Sequence, residues 1–376
     1  MVLNKRILFV ANVDWFFISH RLILAEAAIK KGYEVTVACN DTGRKKEIEA
    51  AGAFFVNFHF ERSGTNIFKE IFTLVKFYKL YKKVAPTMVH HITLKPVIYG
   101  SIVARFLKIP VLNAVSGLGF NFTEGQNGFS TNLMTLLMRV GFKNKNLTCI
   151  FQNNDDLNTI KFRGILYKSN KIVKIKGAGV DLNKFSYQIP PENEKVTIIL
   201  PARLLWDKGV NEFYEASQLL KKKYAEKVIF KLIGIADTDN KAGVSPATLK
   251  GWVDDSYFIW INYQKNMVPV YHNSDIVVLP SYREGMPKTL LEACAVGRPI
   301  VTTNAIGCKE CVDEGVNGFK VPVKSIQELA KAIELLVLDT ELRFRMGKAS
   351  RNKAVNEFNQ VNVITKHLEI YNYLSK

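Results

Sequence analysis

Short apolar runs alternate with longer amphipathic segments along almost the whole chain. Runs of four to eight apolar residues are typical of strands in parallel sheets, and the amphipathic segments between them are long enough to be helices. One series begins with RILFVAN and closes with KIVKIKGAGV, and a second runs from VTIILPARL to GFKVP. The pattern predicts an α/β protein with two Rossmann-like halves.

A polar stretch separates the two series. Residues 181–195, DLNKFSYQIPPENEK, contain a proline pair and show no periodicity, which is typical of a linker. The length of 376 residues suits two domains. We expect an N-terminal domain over residues 1–188 and a C-terminal domain over 189–358, followed by an amphipathic helix within 359–376.

The net charge of +18 belongs mainly to the first half of the chain. Residues 1–180 contain 26 Lys and Arg against 11 Asp and Glu, a balance of +15, which leaves +3 for the remainder. So basic a surface indicates an anionic partner. Nucleic acid, anionic lipid headgroups and a phosphorylated substrate all satisfy this requirement.

No window reaches the roughly 18–20 uninterrupted apolar residues of a membrane span, so we expect a protein that does not cross a bilayer. It can still lie on one. Residues 67–83 mix aromatic residues with lysines, residues 129–145 are apolar with cations at the end, and the aromatic stretch 15–18 is expected to be exposed. Interfacial helices have this composition, but so do ordinary helices that cover a sheet.

The five cysteines are an odd number scattered through apolar contexts, which indicates a reducing compartment rather than a disulfide framework. Cys308 and Cys311 form one CxxC without a second pair or a nearby histidine. We expect them to be buried small residues rather than metal ligands.

The strongest chemical signal is the segment SYREGMPKTLLE after the strand DIVVLPS. Glu284 falls in the loop at the carboxyl end of that strand, where open α/β sheets bind ligands, and Glu292 lies about one turn into the next helix. Gly285 allows close backbone approach. Two carboxylates so placed suit the hydroxyl groups of a sugar and a ribose; a surface loop with an exposed helical Glu is the alternative.

A second signal follows the strand VTIILP. Arg203 and Lys208 lie in the loop ARLLWDKG before a helix. A departing diphosphate needs its growing negative charge neutralised, and an Arg and a Lys provide bidentate and point-charge contacts respectively. A pair of solvated loop charges is the alternative in so basic a chain.

These motifs together resemble glycosyltransferase family four. The resemblance rests on ARLLWDKG, on the strand-end LIG, on the long run from HNSDIVVLPS to GVNGFKV, and on the two glutamates separated by seven residues, and it is dense over residues 196–323. It implies the GT-B architecture: two Rossmann-like domains that face a central cleft, with a C-terminal helix that crosses back to the first domain. It also implies transfer with retention of anomeric configuration, without a metal or other cofactor.

The resemblance carries residue roles with it. It implies that Arg203 and Lys208 hold the donor diphosphate, that Glu284 holds the transferred sugar and that Glu292 holds the ribose. Further donor contacts are expected from Gly234, Asn262, Tyr263, Gly285, Met286, Pro287, Lys288 and Thr289.

In the N-terminal half the chain looks most like bacterial transferases that build O-antigen, capsule or glycoprotein oligosaccharides on a polyprenyl diphosphate, through HHITLKPVIYG and SGLGF. His20, Arg21 and Lys95 are candidates for acceptor binding, although His20 and Arg21 also suit capping or packing. Of the adjacent His90 and His91, only one can face the cleft, because neighbouring strand residues point in opposite directions. We choose His91 as a catalytic residue.

The expected partners are a UDP-sugar donor, first of all a UDP-linked N-acetylhexosamine, a polyprenyl-diphosphate-linked acceptor and an anionic membrane surface, on the inner face of the cytoplasmic membrane. Asp237 and Asp239 form an Asp-x-Asp triplet, which we interpret as a chance match rather than a metal site. A sugar-nucleotide epimerase of the same architecture is one alternative. A nucleic-acid-binding protein is another, but it lacks a recognisable motif and we expect no nucleic-acid partner.

Overall fold

The computed structural model describes residues 5–60, 67–118, 128–190, 194–238, 240–254 and 256–375. The chain divides into two compact units, the first formed by residues 1–178 and 361–376 and the second by residues 179–360. Each unit is built around one sheet whose described strands are all parallel. The prediction of two α/β domains is confirmed.

The first unit contains a seven-stranded sheet of order β3-β2-β1-β4-β5-β6-β7. Its strands are β1 (Arg6–Val13), β2 (Glu34–Asn40), β3 (Phe54–Asn57), β4 (Met88–His91), β5 (Val111–Val115), β6 (Leu147–Phe151) and β7 (Lys171–Lys174). Its helices are α1 (Asp14–Lys30), α2 (Lys45–Ala50), α3 (Ile67–Val84), α4 (Ser101–Phe106), α5 (Phe129–Phe142), α6 (Asn154–Phe162) and α13 (Gln360–Leu374), and the π-helical turn Pro96–Gly100 precedes α4.

Strand β1 shows why this sheet is buried on both faces. Successive strand residues point to opposite faces. Leu8 and Val10 pack with α3 and α5, through side chains such as Phe77 and Phe142. Ile7, Phe9 and Ala11, which alternate with them, pack with α1 and α13. Helices therefore cover both faces, and the strand is a continuous apolar run.

The second unit contains a six-stranded sheet of order β10-β9-β8-β11-β12-β13. Its strands are β8 (Val196–Pro201), β9 (Val228–Ile233), β10 (Phe258–Ile261), β11 (Ile276–Leu279), β12 (Ile300–Thr303) and β13 (Gly318–Val321). Its helices are α7 (Val210–Tyr224), α8 (Pro246–Trp252), α9 (Val268–His272), α10 (Lys288–Val296), α11 (Ile326–Leu338) and α12 (Thr340–Lys353).

The change of unit comes between Ala178 and Gly179, earlier than the expected boundary at 188/189. The segment that we assigned to the first domain packs on the second unit instead. Val180 N donates to Phe358 O at 2.8 Å, and the Arg298 guanidinium donates to Gln188 O at 2.6 Å. A polar, aperiodic segment can therefore belong to a core, because its backbone carbonyls serve as acceptors for buried arginines.

The C-terminal helix returns to the first unit, as the resemblance implies. From Val361 onward the chain belongs to that unit. Val363, Ile370 and Tyr371 are buried against α1 and the sheet, with the Tyr371 ring centroid 6.1 Å from that of Phe9. The second unit thus lies between two parts of the first in sequence.

Strand order reverses once in each sheet, between β1 and β4 in the first and between β8 and β11 in the second. Open α/β sheets bind ligands outside the carboxyl ends of the strands at such switch points. The site residues that follow β8 and β11 in the sequence are therefore neighbours in space.

Candidate active site

Lys208 and Glu284 form an ion pair at the switch point of the second sheet. Lys208 Nζ donates to Glu284 Oε1 at 2.6 Å, and the two side chains are 13% and 17% exposed. Ser281 Oγ donates to the same carboxylate oxygen at 3.0 Å. The family resemblance implies that Lys208 contacts the diphosphate and Glu284 the sugar of the donor. The structure brings the two side chains into direct contact with each other, and both remain partly accessible.

Two glycines allow the loops around this pair to approach each other. Gly209 has φ +74°, and a Cβ there would lie 2.2 Å from Pro280 O. Gly307 has φ +83°, and a Cβ there would lie 2.3 Å from Glu284 O. Any side chain at these positions would push the loop that bears Glu284 away, so the glycines set the position of the carboxylate.

Arg203 lies at the end of β8 with its side chain 49% exposed. Its Nη1 atom is 3.9 Å from Asp237 Oδ2, a loose ion pair in contact with solvent. About half of the Arg203 side chain is thus in contact with solvent, whereas Lys208 is held mainly by its carboxylate partner. Asp239 lies outside the described residues, and those residues contain no group of three potential metal ligands.

Gly234 has a structural role. With φ +155°, a Cβ there would lie 2.0 Å from Ala202 O, and its carbonyl accepts a hydrogen bond from Trp260 Nε1 at 2.9 Å. The ends of β8 and β9 come this close only around a residue without a side chain.

Helix α10 begins beside the pair and carries the second glutamate. Thr289 Oγ1 donates to Pro201 O at 2.9 Å, which ties the start of the helix to the end of β8. Glu292 is 9% exposed and lies 3.5 Å from Lys288 Nζ. Burial raises the pKa of this carboxyl, and the nearby Lys288 ammonium opposes the increase.

The remaining expected donor residues form the loops around this edge. Asn262 and Tyr263 are exposed after β10, and the Asn262 side chain accepts from Tyr263 N at 2.8 Å. Gly285 is half-buried. Met286 and Pro287 are buried, and Cys311 Sγ lies 3.4 Å from Met286 Sδ. All five cysteines are free and buried, as expected.

In the first unit the choice of His91 is not supported. His91 is fully buried: its Nδ1 donates to Asn113 Oδ1 at 2.7 Å, and the Tyr81 hydroxyl donates to its Nε2 at 2.6 Å. Burial lowers the pKa of His91 to about 4, so the imidazole is neutral. Strand β4 lies inside the sheet with helices on both faces, so both His90 and His91 point into packed layers.

Arg21 is also buried rather than placed for an acceptor. It is 2% exposed, Nη1 donates to His20 O at 3.2 Å, and Nε has no partner among the described residues. Desolvation lowers the pKa of Arg21 to about 10. Its neighbours are His90 and His367, whose rings stack at 5.7 Å and whose pKa values are lowered by burial, that of His367 to about 3. Of the two roles left open for Arg21, the structure therefore supports packing rather than acceptor binding.

His20 and Lys95 lie nearer the surface but already have partners. The half-buried His20 ring stacks on Phe16 with centroids 4.3 Å apart. Lys95 Nζ donates to Glu70 Oε1 at 2.9 Å. The expected exposure of residues 15–18 is wrong, because Phe17 is fully buried and the others are half-buried: these residues form the first turn of α1, which packs on the sheet.

The sequence matches two family models in succession. Residues 6–154 match the family described as glycosyl transferase 4-like, and residues 183–353 match glycosyl transferases group 1. The two matches fall on the two units, the first within residues 1–178 and the second within residues 179–360. The chain is a glycosyltransferase built from these two family domains.

Relatives agree over almost the full length. The chain is 28% identical to N,N'-diacetylbacillosaminyl-diphospho-undecaprenol alpha-1,3-N-acetylgalactosaminyltransferase of Campylobacter jejuni, over 99% of each chain. It is 26% identical to UDP-Gal:alpha-D-GlcNAc-diphosphoundecaprenol alpha-1,3-galactosyltransferase of Escherichia coli, over 90% of this chain and 89% of that one. The crystal structure of Anabaena HepE with UDP and glucose superposes with a TM-score of 0.76 at 17% identity, covering 97% and 98% of the two chains, and shows the same GT-B fold.

Three features of this glycosyltransferase site were missed in the sequence. Ser281 supports Glu284, Gly307 makes room for its backbone, and the Tyr282 hydroxyl donates to Glu212 Oε1 at 2.6 Å, which joins the site loop to α7. Ser281 and Tyr282 lie three and two positions before Glu284 in the same loop, so their closeness in sequence was an available signal. Gly307 comes after another strand, and no local pattern connects it with Glu284.

Proposed function

We propose that this glycosyltransferase moves an N-acetylhexosamine from a UDP donor onto a sugar carried by a polyprenyl diphosphate, in the assembly of a cell-surface glycan. The Lys208–Glu284 pair carries the proposal, since together with Arg203 in the same loop after β8 it combines cations for a diphosphate with a carboxylate for sugar hydroxyls. The Campylobacter and Escherichia relatives act on sugars linked to diphosphoundecaprenol, as their names state. Both are transferases, which favours transfer over epimerisation.

The proposed reaction exchanges one glycosidic bond for another. The bond between the sugar C1 and the diphosphate oxygen breaks, the acceptor oxygen bonds to C1, and the acceptor proton passes to the departing diphosphate. Arg203 and Lys208 neutralise the charge that grows on this leaving group. Glu284 is occupied by Lys208 and Ser281, so we assign it to holding sugar hydroxyls rather than to attack on C1, and propose retention by front-face transfer.

We further propose that the reaction requires no metal ion. A metal in such a site would neutralise the diphosphate, and two side-chain cations already stand at this edge. Phosphate oxygens bind well to both an arginine fork and a lysine ammonium.

The membrane surface proposed for the first unit is the outer face of α3. The helix buries Phe77, Leu80 and Tyr81 in the core, and the opposite face leaves four large apolar side chains exposed. These are Ile71, Phe72, Val75 and Tyr78. Apolar side chains of this size on a monomer surface indicate contact with another apolar phase.

Lysines lie on the same outer face of α3. Lys79, Lys82 and Lys83 are exposed, and Lys76 Nζ and Lys82 Nζ stand 5.0 and 5.9 Å from the ring centroids of Phe72 and Tyr78. Aromatic and aliphatic groups that enter a bilayer interface beside cations suit anionic headgroups. None of the helices in the described part of the chain is long and apolar enough to pass through a membrane. Helix α5 is a weaker candidate for a membrane-binding surface. Among its described side chains, Leu136 is the only large apolar one that is exposed.

The test is a transfer assay. Purified full-length protein is incubated with each of several UDP-sugars and a synthetic acceptor sugar on a polyprenyl diphosphate, and the product is identified by mass and by the anomeric coupling in its NMR spectrum. We expect transfer of an N-acetylhexosamine with retained configuration. Conversion of the UDP-sugar without acceptor would instead show an epimerase, and an inverted product would refute front-face transfer.

A further inference from the structure

A cavity of about 120 Å³ opens at the carboxyl edge of the first sheet. It is bordered by Phe16 at the start of α1, by the residues after β4 and by the end of β5. These elements meet where the strand order reverses, between β1 and β4. The cavity therefore lies where open α/β sheets bind ligands.

The walls of this cavity are mainly hydrocarbon. The apolar side chains that line it are Phe16, Ile92, Leu94, Val97, Ala114 and Val115. No charged side chain is among the described residues that line it. A phosphate or another ionised group would lose its hydration there without compensation.

Two hydroxyl groups complete the lining. Thr93 Oγ1 donates to Asn12 Oδ1 at 2.8 Å, and Ser116 Oγ donates to Ile92 O at 2.9 Å. Because each hydroxyl group already donates its proton, its oxygen can take part in a further hydrogen bond only as an acceptor. The cavity therefore suits a small apolar group that brings one N–H donor with it.

The volume limits the size of the occupant. An apolar cavity of about 150 Å³ holds a molecule of the size of benzene, so this cavity holds a group of a few heavy atoms. A whole sugar ring would place its hydroxyl groups against hydrocarbon walls, which is costly. An acetamido group has a suitable size, a methyl group for the walls and an N–H for a hydroxyl oxygen, provided that its carbonyl oxygen stays at the open mouth of the cavity, in water.

We propose that this cavity receives the acetamido group of the acceptor sugar. The proposal rests on the function proposed above, in which the second unit holds the donor and the first unit the acceptor. The names of the Campylobacter and Escherichia relatives contain a diacetylated and an N-acetylated acceptor sugar respectively. The cavity thus selects the acceptor by its N-acyl substituent, separately from its diphosphate and lipid.

The first experiment compares two acceptors that share the lipid and the diphosphate and differ only in a 2-acetamido or a 2-hydroxyl group. We expect kcat/KM to favour the acetamido acceptor by roughly 10- to 200-fold, the range for filling or leaving empty a small apolar pocket. A second pair of acceptors carries a short and a long polyprenyl chain on the same acetamido sugar. It tests whether the group that occupies the cavity belongs to the lipid rather than to the sugar.

Two variants change the cavity in opposite directions. Ala114→Val fills it and should remove most of the preference for the acetamido acceptor. Val97→Ala enlarges it and should raise kcat/KM for a propanamido acceptor relative to the acetamido one. The matched control is Ala38→Val, which adds the same atoms to a buried alanine of β2 that does not line the cavity, and it should keep the wild-type preference.

Val97→Ala keeps the proposal testable if Ala114→Val does not fold. Equal kcat/KM of the wild type for the acetamido and hydroxyl acceptors would overturn the cavity assignment and leave the transferase function intact. A preference that follows only the lipid length would overturn it too. Transfer to none of the acceptors from any UDP-sugar would refute the proposed function and, with it, this inference.

Discussion

The carboxyl edges of the two sheets differ in the chemistry that they present. At the second edge Arg203, Lys208 and Glu284 are charged and at least partly accessible. At the first edge the cavity walls are apolar, and the ionisable residues nearby in sequence, Arg21 and His90, are buried. Yet residues 1–180 carry +15 of the net charge of +18. The charge of a domain therefore does not locate its site.

The cations of the first unit lie on outer helical surfaces instead. Examples are Lys30 and Lys31 at the end of α1, Lys45 and Lys46 in α2, and Lys79, Lys82 and Lys83 in α3. A buried cation loses hydration, whereas an exposed one on a helix does not. We propose donor binding at the second edge and attraction to an anionic surface at the outside of the first unit, and four predictions test this division.

The largest expected effect comes from reversing the charge on α3. Changing Lys76, Lys79, Lys82 and Lys83 together to Glu should lower binding to vesicles of phosphatidylglycerol and phosphatidylcholine by roughly 1,000-fold, because each lysine near an anionic surface contributes about 1 kcal/mol. Sedimentation with vesicles at low salt measures it, and high salt should weaken the wild-type binding. UDP binding should not change.

The control for this variant carries the same charge change elsewhere in the first unit. Lys30, Lys31, Lys45 and Lys46 are exposed and can be changed together to Glu. If this control loses as much vesicle binding as the α3 variant, net charge rather than the α3 surface governs attraction. If the wild-type protein does not bind the vesicles at low salt, the proposed membrane role of α3 is wrong.

The second prediction addresses the donor edge. Arg203→Ala should lower the rate of transfer by roughly 100-fold or more, because one stabilising cation for the leaving diphosphate is lost. Arg345→Ala, at an exposed position of α12, is the matched control and should transfer at the wild-type rate. A folded Arg203→Ala protein with wild-type kcat and KM would show that the diphosphate binds elsewhere.

The third prediction uses the buried histidines of the first unit. Burial lowers the pKa of His90, of His91 to about 4 and of His367 to about 3. In the unfolded chain a histidine takes up a proton near pH 6.5, so stability is highest above that pH and falls as the pH decreases towards 4. At pH 5 each such histidine lowers the free energy of unfolding by about 2 kcal/mol.

Urea unfolding at pH 7 and pH 5 measures this loss. The variant His367→Leu should lose about 2 kcal/mol less than the wild type between the two pH values. The exposed His59 provides the control variant His59→Gln, which should show the wild-type loss. The raised pKa of Glu292 makes the folded protein more stable as the pH decreases, which opposes the effect of the histidines. The quantity to compare is therefore the loss of stability of each variant relative to that of the wild type. If His367→Leu loses as much stability between pH 7 and pH 5 as the wild type does, the His367 ring is not buried in its neutral form.

The smallest expected effect is that of a chelator. If Arg203 and Lys208 supply the positive charge of the second edge, transfer should continue at an unchanged rate in excess EDTA after the protein has been stripped of metal ions. Loss of activity in EDTA that Mg²⁺ or Mn²⁺ restores would contradict the division, and would direct attention back to Asp237 and Asp239.

The sequence by itself determined the class of fold and predicted most of the residues of the proposed donor edge. Strands buried on both faces read as apolar runs, and helices between them read as amphipathic segments, because burial acts on each element locally. Glu284, Glu292, Arg203 and Lys208 were found because each follows a recognisable strand. The carboxyl ends of parallel strands lie at one edge, so strand assignment already groups these residues.

Only the tertiary structure decided which partner each group has. Lys208 and Glu284 are 76 positions apart in the chain, and His90 and Tyr371 are 281 apart, so neither contact leaves a local pattern. We chose between His90 and His91 on the basis that neighbouring strand residues point to opposite faces, so that one of them would be open to the cleft. That choice failed because helices cover both faces of β4. The cavity exists because α1, β4 and β5 leave a gap between them, and the size of that gap depends on packing rather than on any one segment.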